Sequence, residues 1–197
     1  MSIGQLNRIG VKLALDLPPD GSPDLAPLIP LFHDWIRGTS RPGLLLDVAD
    51  YRHVPQGPGV MLIGQEGDWS LDLADGRAGM QYLRKTELSG DLAAKIRQIL
   101  TLAADAAADL PWPVRGDDWT VFANDRLNAP NSAETRAALV EAAREVAREV
   151  AAEETSIDEI EGDPRARPAV RVRGGVSTAA ALAQRLHDPP LSRPKPR

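Results

Sequence analysis

The sequence has no cysteine and only three histidines among its 197 residues. The first absence excludes disulfide frameworks, thiol nucleophiles, iron–sulfur clusters and thiolate zinc sites. The second leaves little from which to build an imidazole metal centre or a catalytic triad. Aromatic side chains are scarce, at 4%. No apolar run reaches the ~18 residues that a membrane-spanning helix needs, and the N-terminus has no charged stretch leading into an apolar one. These absences predict a cytoplasmic protein with no membrane segment. Familiar motifs are missing as well. No glycine-rich run ends in Gly-Lys-Ser/Thr, and no strand leads into a dinucleotide fingerprint. There is no His-Glu-x-x-His pair and no serine elbow. No cofactor is expected, and enzymatic activity is not the favoured reading.

What is present starts with an apolar fraction of 43%, enough for the core of one domain. Charge is divided unevenly. Residues 164–197 carry eight basic side chains against the single acid Asp188, leaving 15 basic and 27 acidic residues in 1–163. An α+β body over residues 1–154 is therefore expected, followed by an acidic linker (155–163) and a basic, Pro/Arg-rich tail (164–197).

The body alternates strand and helix signals. Ile9, Val11, Leu13, Leu15 and Leu17 share one side of a half-buried strand, with Lys12 on the other. Leu28, Leu31, Phe32, Trp35 and Ile36 form one face of a helix ended by Gly38. Strands follow at 44–48, 60–66, 68–73 and 79–86, with an Asp-Gly turn at Asp75 and Gly76. A helix opened by Ser89 or Asp91 runs to Leu110, a strand covers 118–123, and a helix capped by Asn131 and Glu134 reaches about Glu154. Strands that follow one another without a helix between them argue against a parallel doubly wound sheet. The fold class expected is α+β, a mixed, mainly antiparallel sheet with helices on one face and a C-terminal extension.

The stretch Asp47-Val48-Ala49-Asp50-Tyr51-Arg52-His53-Val54-Pro55, with Gly57-Pro58-Gly59 behind it, resembles a group of uncharacterised bacterial proteins. The segment from Asn124 to Asn131 resembles the same group. The resemblance covers about residues 8–150 and implies a body with no activity attached, so it carries over no catalytic residue.

Asp47, Asp50, His53 and Glu66 are the candidate ligand or metal residues. Carboxylates at strand ends with one imidazole can hold a divalent cation or act as a general acid–base pair. The alternative is structural, with Asp50 bonding loop amides and His53 packing on Tyr51. Arg126 either lines a site or pairs with Asp47 or Asp50. The spacing of Asp68, Asp72 and Asp75 does not fit a calcium loop, because Leu71 and Leu73 occupy ligand positions. In the tail, Val170-Arg171-Val172-Arg173 alternates as a strand able to add to a sheet edge, its own or a partner's. A short helix follows, capped by Ser177.

The functional expectation is a protein-interaction domain that docks a protein partner through Arg171, Arg173, Leu182, Arg185 and Leu186, with Trp112 as a possible anchor. The alternatives are a small-ligand or divalent-metal site in the Asp47–Glu66 region, hydrolytic or not, and nucleic-acid binding by the tail. The acidic body disfavours a polyanion, and self-association is compatible with the pattern.

Overall fold

The computed structural model describes residues 6–17, 21, 23–38, 40–150, 155–160 and 165–188. Eight strands form one sheet in the order β2-β3-β4-β5-β1-β6-β8-β7. They are β1 (Ile9–Leu15), β2 (Leu45–Asp50), β3 (Val60–Gly64), β4 (Gly67–Asp72), β5 (Gly79–Arg84), β6 (Val114–Ala123), β7 (Ser156–Glu159) and β8 (Ala169–Arg173). The helices are α1 (Leu28–Gly38), α2 (Leu92–Ala108), α3 (Ala133–Val150) and α4 (Ala179–His187). Every strand pair is antiparallel, so the sheet has none of the parallel pairing that a mixed sheet allows. The fold is α+β, and no described helix is long and apolar enough to cross a membrane.

One face of the sheet carries the core. Ile9, Val11 and Leu13 of β1 stand beside Met80 and Tyr82 of β5 and beside Trp119, Val121 and Ala123 of β6. Val170 and Val172 of β8 extend the row. Helix α2 lies over β1 and β5 and touches α3 and α4. Its N-cap is Asp91, whose carboxylate accepts from the Ala94 N–H. At α3 it is the Ser132 hydroxyl, not Asn131, that accepts from the Thr135 N–H. At α4 Thr178, not Ser177, does this for Ala181. A hydroxyl or carboxylate at this position satisfies an N–H that the helix itself leaves unpaired.

The division at residue 154 is not a boundary in the fold. Ser156–Glu159, read from the sequence as acidic linker, is the edge strand β7. Ala169–Arg173, read as tail, is an internal strand paired on both sides, to β6 and to β7. Leu182 and Leu186, expected to face a partner, are 0% and 2% exposed within the main core. The segment folds onto its own body because its apolar alternation has a sheet edge at β6 to complete, and burying both leucines outweighs leaving them in water. The last nine residues, including four of the prolines that mark the expected extension, lie outside the described residues.

Leu182→Ala should therefore destabilise the whole protein by about 2–5 kcal/mol, the usual cost of emptying a fully packed leucine site. Denaturant unfolding of the full chain checks this. A change within ~0.5 kcal/mol would mean that α4 is peripheral to the core.

Candidate functional site

The residues first singled out do not come together. Asp47 is exposed, and its carboxylate accepts from the Val48 N–H at 2.8 Å. In the β2–β3 register that N–H points away from β3, toward the open edge. Asp47 thus occupies a donor that would otherwise invite another strand. Asp50 pairs with Arg52 through two carboxylate oxygens, at 2.7–3.0 Å. Those side-chain bonds and the Arg52 backbone N–H lower its pKa to about 2. His53 is exposed and stacks loosely on Tyr51 at 6.3 Å. Glu66 pairs with Arg84 at 2.8 Å. Among the described residues no group of three or more His, Asp or Glu is arranged to hold a metal ion. Arg126 is exposed in the loop after β6. Four strands separate β6 from β2, about 24 Å at the usual strand spacing, so Arg126 cannot reach Asp47 or Asp50.

The partner-binding candidates are also placed. Arg173 pairs with Asp158 across β8 and β7. Arg171 holds Asp118 by two hydrogen bonds, 2.7 Å from Nε and 2.5 Å from Nη2. Arg185 is half-buried on α4, and Trp112 is half-buried against the core.

The side chains that do converge lie on the sheet face opposite the helices. Strand alternation sends Gln81, Lys12, Thr120 and Arg171 to that face, and the register sets them directly side by side on β5, β1, β6 and β8. Lys12 is 8% exposed, and its Nζ reaches Asp72 at 2.5 Å and the Ala74 carbonyl at 3.0 Å. Its stem crosses Gly79, where an added Cβ would come within 2.9 Å of the lysine Cγ. Gly79 is thus what lets the amine lie down toward Asp72. Gly10 does the same for Phe122, whose ring tip would sit 2.3 Å from a Cβ there.

Two more arginines close the group. Arg77 donates to Thr120 Oγ1 at 3.2 Å and to Asp118 at 3.4 Å. Arg167, from the segment returning to β8, lays its guanidinium over the Phe122 ring, 4.2 Å from the centroid. It makes no hydrogen bond or ion pair among the described residues. Together with Asp75, Ile160 and Ala169 these groups line a cavity of about 380 Å³. Four cations, Lys12, Arg77, Arg167 and Arg171, face two lining carboxylates, Asp72 and Asp75, in a chain whose net charge is −5.

Two shifted pKa values follow from this arrangement. Burial lowers that of Lys12, with Asp72 countering in part. Burial alone would raise that of Asp118, but the hydrogen bonds from Arg171 and the charges of Arg171, Arg77 and Arg115 outweigh it and hold the carboxyl below its ordinary value. Of these residues only Arg171 is a site candidate in the sequence; Asp72 and Asp75 enter there as calcium ligands that are set aside, and Lys12 only as the polar side of a strand. Comparison with known protein families, curated proteins and solved structures returns no match for the chain.

The Asp118 cluster has a pH signature. A carboxyl whose folded pKa lies below its unfolded one contributes stability above the ordinary 3.8, and that contribution is lost as pH falls through the lower folded value. Asp118→Asn should be less stable than the parent at pH 6, with the difference shrinking as pH falls below 3.8. Parallel urea melts at pH 6 and in this acid window test it, and a pH-independent difference would mean that charge pairing is not what Asp118 supplies.

Proposed function

We propose that this domain binds a small anionic ligand in the cavity on the helix-free face of its sheet. One observation carries the reading. Arg167 is held by stacking on Phe122 while its N–H groups remain unengaged by any described carboxylate, beside three further cations in an otherwise acidic protein. A guanidinium oriented by an aromatic ring and left without an anion is pre-organised for a carboxylate or phosphate. This is the small-ligand alternative that the sequence allows, moved from the Asp47–Glu66 region to the centre of the sheet and needing no metal. The described lining has no serine, cysteine or histidine to support a hydrolytic extension of it.

Calorimetric titration of the full chain with inorganic phosphate and with acetate tests the reading. Binding is expected for at least one of them, and a ligand at 100 times its Kd should raise stability by about 2.7 kcal/mol. Arg167→Ala should weaken the affinity about tenfold or more, consistent with loss of one charge-assisted contact. Heat exchange that is identical in the parent and in this variant would refute the reading.

Protein partnering is a second reading, and it rests on a different surface from the C-terminal segment. Leu44 and Leu46, 59% and 54% exposed, lie at the edge strand β2, with exposed Tyr51 and Val54 in the loop after it. Because a bulge at Leu46 and the Asp47 cap interrupt this edge, contact there is made by side chains, not by strand addition. The partner this favours is a second copy, whose matching apolar patch would cover the leucines symmetrically. Sedimentation of the full chain should show a dimer that Leu46→Asp dissociates, and a concentration-independent monomer would dismiss it.

A further inference from the structure

Most charges of the cavity gather at one end, where they offset one another. Lys12 meets Asp72, and Arg77 and Arg171 share Asp118. Asp75, in the short turn after β4, acts electrostatically on Lys12 and lies at the same end. The cations of this network are already supplied with carboxylates.

The other end is built differently. One step of the two-residue period along the strands, the polar row Gln81, Lys12, Thr120 and Arg171 gives way to Leu83, Gly10, Phe122 and Ala169. Ile160 extends this second row, its N–H donating to the Ala169 carbonyl at 3.0 Å. Phe122, Ala169 and Ile160 line the cavity, together with Ala166 from the segment returning to β8. Ile160 stands outside the core cluster and is 39% exposed. Arg167, stacked on the Phe122 ring, is the one cation set among these apolar groups.

That juxtaposition restricts what the end can hold. An ion charged on every side, such as phosphate, would meet Arg167 but lose water against Ile160 and the two alanines without compensation. A carboxylate on a hydrocarbon body loses water from that body favourably. Its charge then meets the guanidinium in a surrounding of low polarity, where the contact is stronger. The cavity volume of about 380 Å³ falls at the small end of the range for ligand sites. Resting on the anion-binding reading above, we propose that the ligand is an amphipathic monocarboxylate. Its carboxylate is held at Arg167, and its hydrocarbon body, a short chain or a single ring, lies along Ile160, Ala166 and Ala169.

Calorimetry on the full chain decides it. The probes are hexanoate and benzoate, with acetate, adipate and inorganic phosphate as references. At least one of the first two should bind about tenfold or more tightly than acetate; a methylene taken out of water is worth about fourfold, so burying two is enough. Adipate should show no such gain, because its second carboxylate would have to lie against the apolar wall. Ile160→Ser should cut the advantage over acetate by about threefold or more while leaving the affinity for acetate itself unchanged. An unaltered melting curve confirms that the variant is folded, and the probe series on the parent chain decides the matter without it. No gain over acetate, adipate as tight as hexanoate, phosphate tighter than both probes, or an advantage that survives in Ile160→Ser overturns the amphipathic ligand while leaving the anion site standing. Failure of every anion, phosphate included, overturns both.

Discussion

A sheet covered by helices on one face only must sort its side chains by the two-residue period of its strands. On β1 this sorting buries Ile9, Val11 and Leu13 completely and turns Gly10, Lys12 and Ala14 the other way. β1 is flanked by three other strands toward β7 and by four toward β2, so Lys12 stands at the middle of the helix-free face, where water is partly excluded. An unpaired ammonium there would carry a desolvation cost of several kcal/mol. Asp72 offsets it, Gly79 gives the lysine stem its path, and the neighbouring rows become a polar floor instead of a second core.

The C-terminal segment completes that floor. Part of the charge asymmetry between residues 1–163 and 164–197 is met by contacts inside one molecule. Arg171 meets Asp118, and Arg173 meets Asp158. The same strand gives Val170 and Val172 to the core face. Alternating valine and arginine therefore serves both sides of an internal strand at once, and the chain leading into it brings Arg167 over Phe122. Two of the eight cations of the basic run, Arg171 and Arg173, are thus engaged by carboxylates of the same molecule.

Much of the fold was legible because it is written in local periodicity. The alternation of β1 and the apolar stripe of α2 are strong signals over seven and 17 residues. β7 was not legible. Its Ser156-Ile157-Asp158-Glu159 has one apolar residue, and its strand character comes from pairing with β8. The cavity was harder still. Lys12, Asp118, Thr120 and Arg171 each occupy the polar phase of an alternating strand, which in isolation reads as a solvated face. Only the register shows that they adjoin, and only the return of residues 165–168 brings Ala166 and Arg167 to the rim of a cavity beside them. The Asp47–Glu66 region drew attention instead because its polar residues are close in sequence, but local bonds within the edge strand and its loop satisfy Asp47 and Asp50.

Arg171 and Arg167 contribute to the cavity in different ways. A guanidinium has five N–H donors in a fixed plane. Asp118 takes the Nε edge of Arg171, one donor each from Nε and Nη2, which fixes the plane and leaves Nη1 unused by that carboxylate. Arg77, bonded to the same carboxylate and to Thr120, is fixed in a similar way. Asp118 partly neutralises two arginines but fixes their orientation, which under the anion-binding proposal makes it a positioning residue that reduces the ordering entropy of binding. No described carboxylate neutralises Arg167, which is oriented by the Phe122 ring with its N–H groups left open. Under the anion-binding proposal the fixed pair supplies specificity, and Arg167, which no described carboxylate engages, supplies most of the attraction.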